Sequence, residues 1–176
     1  MDTDETYAKL KEIGRCAYES IAEMVAALEC DYDRLEELRE ERDSYQPADD
    51  EPKPIGESNR WSEANPDDAA ELAELEKAAG DCESREDAEQ RIQEDPLSLE
   101  VRTGWYTPGG EAEVEEFNIL LSTGGPAVRI LGELSGGEPR RAYLQVQDWF
   151  TPWTDYIEPG TADTILTYAQ QFYFGE

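Results

Sequence analysis

No proline occurs between residues 3 and 46, and apolar residues recur there at Leu10, Ile13, Ala17, Ile21, Met24, Leu28, Tyr32, Leu35 and Leu38. Steps of three and four put these side chains on one narrow stripe. That is the mark of an amphipathic helix with coiled-coil-like spacing. A helix over about residues 3–46 would reach roughly 60 Å. Gly14 weakens it only locally, and Asp31 is the one residue that points its charge toward the stripe.

The stripe must end before Pro47. The stretch PADDEPKPIGESNRW carries three prolines and few apolar residues, so 47–64 reads as an exposed linker. Asn65-Pro66-Asp67-Asp68 then opens a second helix over 65–79. Asn65 is its expected N-cap, proline sits where its missing donor costs nothing, and two aspartates favour the positive end of the dipole. Ala69, Leu72, Leu75 and Ala79 form its apolar face, and Gly80 ends or kinks it. Ser84 starts a third helix over 84–93, with Asp87 in the capping-box position. Folding the second and third helices back on the first gives a long acidic helical hairpin.

Near Asp95-Pro96 the period changes. LSLEVRTGWY, EVEEFNILLS, AVRILGELS and RAYLQVQDWF are rich in β-branched and aromatic residues, and TPGGEA, TGGP and GGEPR separate them with turn chemistry. Four strands with three short connections predict an antiparallel meander. After the bend FTPWTDYIEPG, the spacing of Ile165, Leu166, Ala169, Phe172 and Tyr173 predicts a covering C-terminal helix. The expected fold class is therefore α+β, with an acidic helical arm at 1–95 and a sheet with its helix at 96–176.

Charge narrows the function. The chain of 176 residues has 43 acidic and 15 basic residues, a net charge of −28, and no histidine. Such a field repels nucleic acid and anionic membranes and draws in basic partners. Without histidine the chain lacks the commonest general base and the commonest transition-metal ligand. Cys16, Cys30 and Cys82 show no CxxC spacing and read as reduced thiols of a cytoplasmic protein. The acidic start MDTDETYAKL does not resemble a signal peptide, and no stretch approaches a membrane span.

Motifs for catalysis or metal binding fail on inspection. Asp31-Tyr32-Asp33 begins like a calcium loop, but Leu35, Glu36 and Arg42 occupy the positions needing a ligand, a glycine and a bidentate glutamate. The glycine pairs lack the GK[ST] ending of a phosphate loop. With 43 carboxylates, a glycosidase-like pair carries no weight as a signal. No enzyme, metal or cofactor is expected.

What remains is the acid itself. Glu29, Asp33, Glu36, Glu37 and Glu40 lie opposite the apolar stripe, and Asp67, Asp68, Glu71 and Glu74 follow on the second helix. Ordinary solvated helices interleave lysine with glutamate because like charges repel, yet only Lys9, Lys11, Lys53 and Lys77 occur here. Over the assumed hairpin the net charge comes to roughly one per 3.3 Å, against about 3.4 Å for one DNA strand. Those nine carboxylates are the expected phosphate mimic, and a basic nucleic-acid-binding protein is the expected partner. Trp149, Trp153 and Tyr156 form the alternative partner-binding surface. The long stripe also suggests a homodimer through the first helix.

The segments YESIAEMVAALECDYDRLEELREERD and QDWFTPWTDY…TILTYAQQFYFGE resemble a group of small acidic proteins carried by bacterial phages and integrative elements. In charge and size the chain is similar to antirestriction and anti-CRISPR DNA mimics. The resemblance implies an anti-defence role and transfers no catalytic motif.

Overall fold

A computed structural model describes residues 3–46, 58–110 and 112–175. The apolar stripe forms two helices rather than one, α1 (Thr3–Leu28) and α2 (Tyr32–Ser44). The break falls at the residue whose charge contradicted the stripe. The Asp31 carboxylate accepts the Arg34 backbone N–H at 3.0 Å, which makes Asp31 the N-cap of a new helix. A capping aspartate satisfies donors that a continuous helix would not leave free, so the chain stops and restarts there.

The expected linker also holds structure. α3 (Ser58–Ala64) lies within it, while 47–57 falls outside the described residues. α4 (Pro66–Ala79) and α5 (Arg85–Glu94) follow. Asn65 occupies the N-cap position of α4, but its side-chain amide donates to the Trp61 carbonyl at 3.0 Å instead of capping. Gly80 closes α4 at φ 58, with its N–H on the Glu76 carbonyl. At the start of α5 the Asp87 N–H donates to Ser84 Oγ, and the Asp87 carboxylate takes the Glu83 N–H.

The sheet has five antiparallel strands in chain order, not four: β1 (Ser98–Thr103), β2 (Val114–Ser122), β3 (Ala127–Ser135), β4 (Glu138–Gln147) and β5 (Thr154–Asp155). The fifth is two residues long and forms inside the bend expected after the fourth. Gly136 and Gly137 join β3 to β4 with φ of 63° and 82°, the left-handed pair that a tight hairpin requires. α6 (Thr161–Ala169) packs on β4.

The chain forms two compact units. One comprises residues 1–25 and 89–176, the other Ala26–Ala88. The division does not follow the change of sequence period near Pro96, because most of α1 belongs with the sheet. In that unit Ile119, Ile130 and Leu144 stand opposite one another on successive strands and are fully buried. Val128, Val146 and Phe117 extend this inner face, and Ile165, Tyr168 and Ala169 of α6 are buried with it. Tyr168 donates to the Asp95 carboxylate at 2.5 Å. On α1, Lys9 meets Asp148 at 2.5 Å, Lys11 meets Glu158 at 2.6 Å, and Tyr18 reaches Thr164 Oγ1 at 3.4 Å.

In the Ala26–Ala88 unit, Leu35 and Leu38 of α2 form a core with Trp61 of α3 and with Leu72 and Ala79 of α4. The helical hairpin is thus α2 with α4, sealed by α3. Of the stripe that suggested a dimer, Leu10, Ile21, Met24, Leu28, Leu35 and Leu38 are buried in the single chain. Ile13, Ala17 and Tyr32 of the same stripe are half-buried.

Candidate functional site

α2 and α4 divide their faces by chemistry. Asp33, Glu36, Glu37 and Glu40 share one exposed side of α2, opposite buried Leu35 and Leu38. Steps of three and four do the same for exposed Asp67, Glu71 and Glu74 on α4, opposite buried Leu72 and Ala79. Glu29 is exposed just past the end of α1, and Asp68 is half-buried.

The three arginines of α2 tie the two helices together. Arg34 Nη1 donates to Glu37 at 2.7 Å, and Nη2 donates to Glu71 at 2.9 Å and to Asp68 at 3.4 Å. Hydrogen bonds donated to the Glu71 and Glu37 carboxylates hold the Arg34 pKa well above the ordinary arginine value. Arg39 and Arg42 share one oxygen of Glu76, at 3.5 and 3.3 Å. Arg42 also holds Asp43 at 3.0 Å. Glu76 and the arginines were not among the residues that the sequence singled out. The signal was present, since positions 34, 39 and 42 flank the Leu35–Leu38 face and so must point toward whatever covers it.

The nine carboxylates therefore fall into two sets. Glu37, Asp68 and Glu71 are held by Arg34, whereas Glu29, Asp33, Glu36, Glu40, Asp67 and Glu74 make no ion pair among the described residues. Together α2 and α4 carry 11 acidic against 4 basic residues, a net of −7. Two helices of this length reach about 20 Å, which gives roughly one net charge per 3 Å, beside about 3.4 Å for a DNA strand. The whole Ala26–Ala88 segment holds 22 acidic and 7 basic residues, a net of −15.

The aromatic alternative is less uniform than its sequence. Tyr156 is half-buried with its ring against Gly14 of α1, where any Cβ would collide with it. Burial and the nearby Glu158 carboxylate raise its pKa. Trp153 is half-buried beneath the Arg129 guanidinium, 4.2 Å from ring centroid to Cζ. That arginine donates to Gln145 at 2.9 Å, and burial lowers its pKa. Trp149 is exposed, and beside it stands Phe150, a fully exposed side chain on a backbone at φ 65. Phe150 escaped the sequence reading because nothing in DWFTPW distinguishes an outward ring from an inward one.

The turn holding Phe150 is fixed at both ends. Thr151 N–H donates to the Asp148 carbonyl and Asp148 N–H to Thr151 Oγ1, both at 3.0 Å. The Asp148 side chain is buried, and its bond to Lys9 holds its pKa below the usual aspartate value. Among the described residues no group of three or more histidine, cysteine or carboxylate side chains is placed to hold a metal ion. No described helix is long and apolar enough to cross a membrane. No family model matches the chain, and no curated protein or solved structure is similar to it.

Proposed function

We propose that this protein occupies the basic nucleic-acid groove of a DNA-binding protein, such as a host restriction or CRISPR defence complex, and displaces DNA from it. The role is stoichiometric binding rather than catalysis, by a chain of phage or mobile-element type. The observation that carries the reading is the paired acidic face of α2 and α4, cross-tied by Arg34. Arginine clips hold part of the charge in place, and six further carboxylates make no ion pair among the described residues. A groove evolved for phosphates gains most from anions that need no rearrangement on binding.

Capture from a bacterial lysate identifies the partner, and competition against its DNA tests the site. Replacing Glu29, Glu36, Glu40 and Glu74 by glutamine is expected to leave the fold intact and to weaken displacement at least tenfold at low salt. The same change at Glu5, Glu23, Glu113 and Glu138, exposed in the other unit, is expected to have a much smaller effect. Displacement by the parent should also fall as salt rises. Equal losses from the two variants would leave only a diffuse field and defeat the mimic.

The second reading is a protein-docking module working through its aromatic loop, favoured by the outward Trp149 and Phe150. It becomes the leading reading if the α2/α4 variant binds its partner as tightly as the parent across the salt range.

A further inference from the structure

β1 is an edge strand, and no described element pairs with its free side. Its inner face continues the apolar face of β2, with Leu99 opposite Ile119 and Val101 opposite Phe117. Ile119 and Phe117 are buried, yet Leu99 is 40% and Val101 49% exposed. Leu97 before them is 60% exposed, and Trp105 after them is fully exposed. The core runs out to the edge, and none of the described residues covers it there. Natural sheets guard such edges with lysine, proline, a bulge in the edge strand or a covering segment. Between Leu97 and Trp105 there is no lysine and no proline. The irregularity near Arg102 places its extra residue, Glu115, in β2 rather than in β1.

We propose that the free edge of β1 pairs antiparallel with β1 of a second copy about a two-fold axis at Val101, joining the two meanders into one ten-stranded sheet. The register follows from charge. The outer face of β1 carries one anion and one cation, Glu100 and Arg102, placed symmetrically about Val101. With both apolar faces on the same side, a two-fold at Glu100 or at Arg102 sets like charges against each other. A two-fold at Leu99 or Thr103 sets no opposite charge against either, leaving each only its partner on β2, Asn118 at 2.9 Å for Glu100 and Glu116 for Arg102. Only Val101 on the axis sets each Glu100 against the Arg102 of the other copy. The same register lays Leu99 against Thr103 and brings Trp105 to the level of Leu97, so the exposed apolar residues cover one another. Alternate residues of an edge strand turn N–H and C=O outward, and an antiparallel copy satisfies them. The pairing is isologous and closed.

The proposal is independent of the α2/α4 reading. It is also distinct from a dimer through the first helix, most of whose apolar stripe is buried. Two chains of net charge −28 repel, so added salt is expected to favour pairing, the reverse of its effect on an electrostatic competitor of DNA.

The test is light scattering on the full chain over a concentration series in moderate salt, joined to cross-linking. The mass is expected to rise from 19.9 kDa toward twice that value. Val101→Lys, which sets two cations on the axis, is expected to keep it at the monomer while circular dichroism stays unchanged. In a Cys16→Ser background, Val101→Cys is expected to form a disulfide dimer under mild oxidation. Leu99→Cys should not, because its two copies would lie about 13 Å apart along the strands. A monomer at the highest concentration reached overturns the proposal. So does a dimer that Val101→Lys leaves intact, or cross-linking at position 99 as ready as at position 101.

Discussion

Asp148 shows how a single buried side chain couples the strand end to the N-terminal helix. Its carboxylate holds Lys9 at 2.5 Å, and the remaining oxygen has no partner among the described residues. Because the folded-state pKa lies below the ordinary 3.8, this carboxylate contributes stability that is present above that value and lost as pH falls through the folded pKa. Asp148→Asn is therefore expected to lower the melting temperature at pH 7 and to flatten the acid limb of the stability curve below about pH 4. An acid limb identical to the parent's would rule out the Lys9 contact as its source. The aspartate was visible in the sequence only as one of 43 acids, since nothing local says that it will meet a lysine 139 positions away. Asp31 is the opposite case. Its charge conflicted with a pattern in its own neighbourhood, and the structure resolves the conflict as a helix cap.

At the level of elements, Gly14 marks a close approach. A glycine in a helix interior costs about 0.5–1 kcal/mol relative to alanine, and the Tyr156 ring fills the space its missing side chain leaves. Gly14→Ala gains propensity but drives a methyl into that ring. The net expectation is a loss of about 1–2 kcal/mol in urea unfolding. Pairing it with Tyr156→Ala should remove the collision, so the double mutant should lose less than the sum of the two changes. A stabilised Gly14→Ala protein would show that the helix and the bend do not touch as described. Most elements were legible because their signals are local. Gly136-Gly137 predicted a turn, Pro66 a helix start and Gly80 a helix end or kink; the turn and the start are found, and Gly80 is an end. α3 was not legible, because its anchor Trp61 follows a proline-rich run and only Leu35, Leu38, Leu72 and Ala79 around it make a helix worth forming. The bare edge of β1 was hidden for a related reason: alternation reports which way side chains point and is silent on whether a neighbour exists.

For the molecule as a whole, a net charge of −28 on 176 residues makes self-repulsion the dominant long-range term. The exposed ion pairs on α1 and α2 contribute little each and are weakened by salt. Unfolding free energy is accordingly expected to rise as sodium chloride is added toward physiological ionic strength. Urea titrations at fixed pH measure this, and a steady decline would show that the Arg34 and Asp148 contacts outweigh the repulsion. The acidic face was legible from helical spacing, whereas its division into clipped and unpaired carboxylates depended on which helices pack, and the charge boundary near Pro96 concealed that. One consequence concerns the order of synthesis. The N-terminal helix finds its partners Asp148 and Thr164 only 139 and 146 residues later, after the whole Ala26–Ala88 unit has been made. At about 5–20 residues per second, a newborn α1 waits roughly seven to thirty seconds on the ribosome. Through that interval its stripe is open to any chaperone near the exit tunnel, and the first part of the chain to be made is among the last to settle.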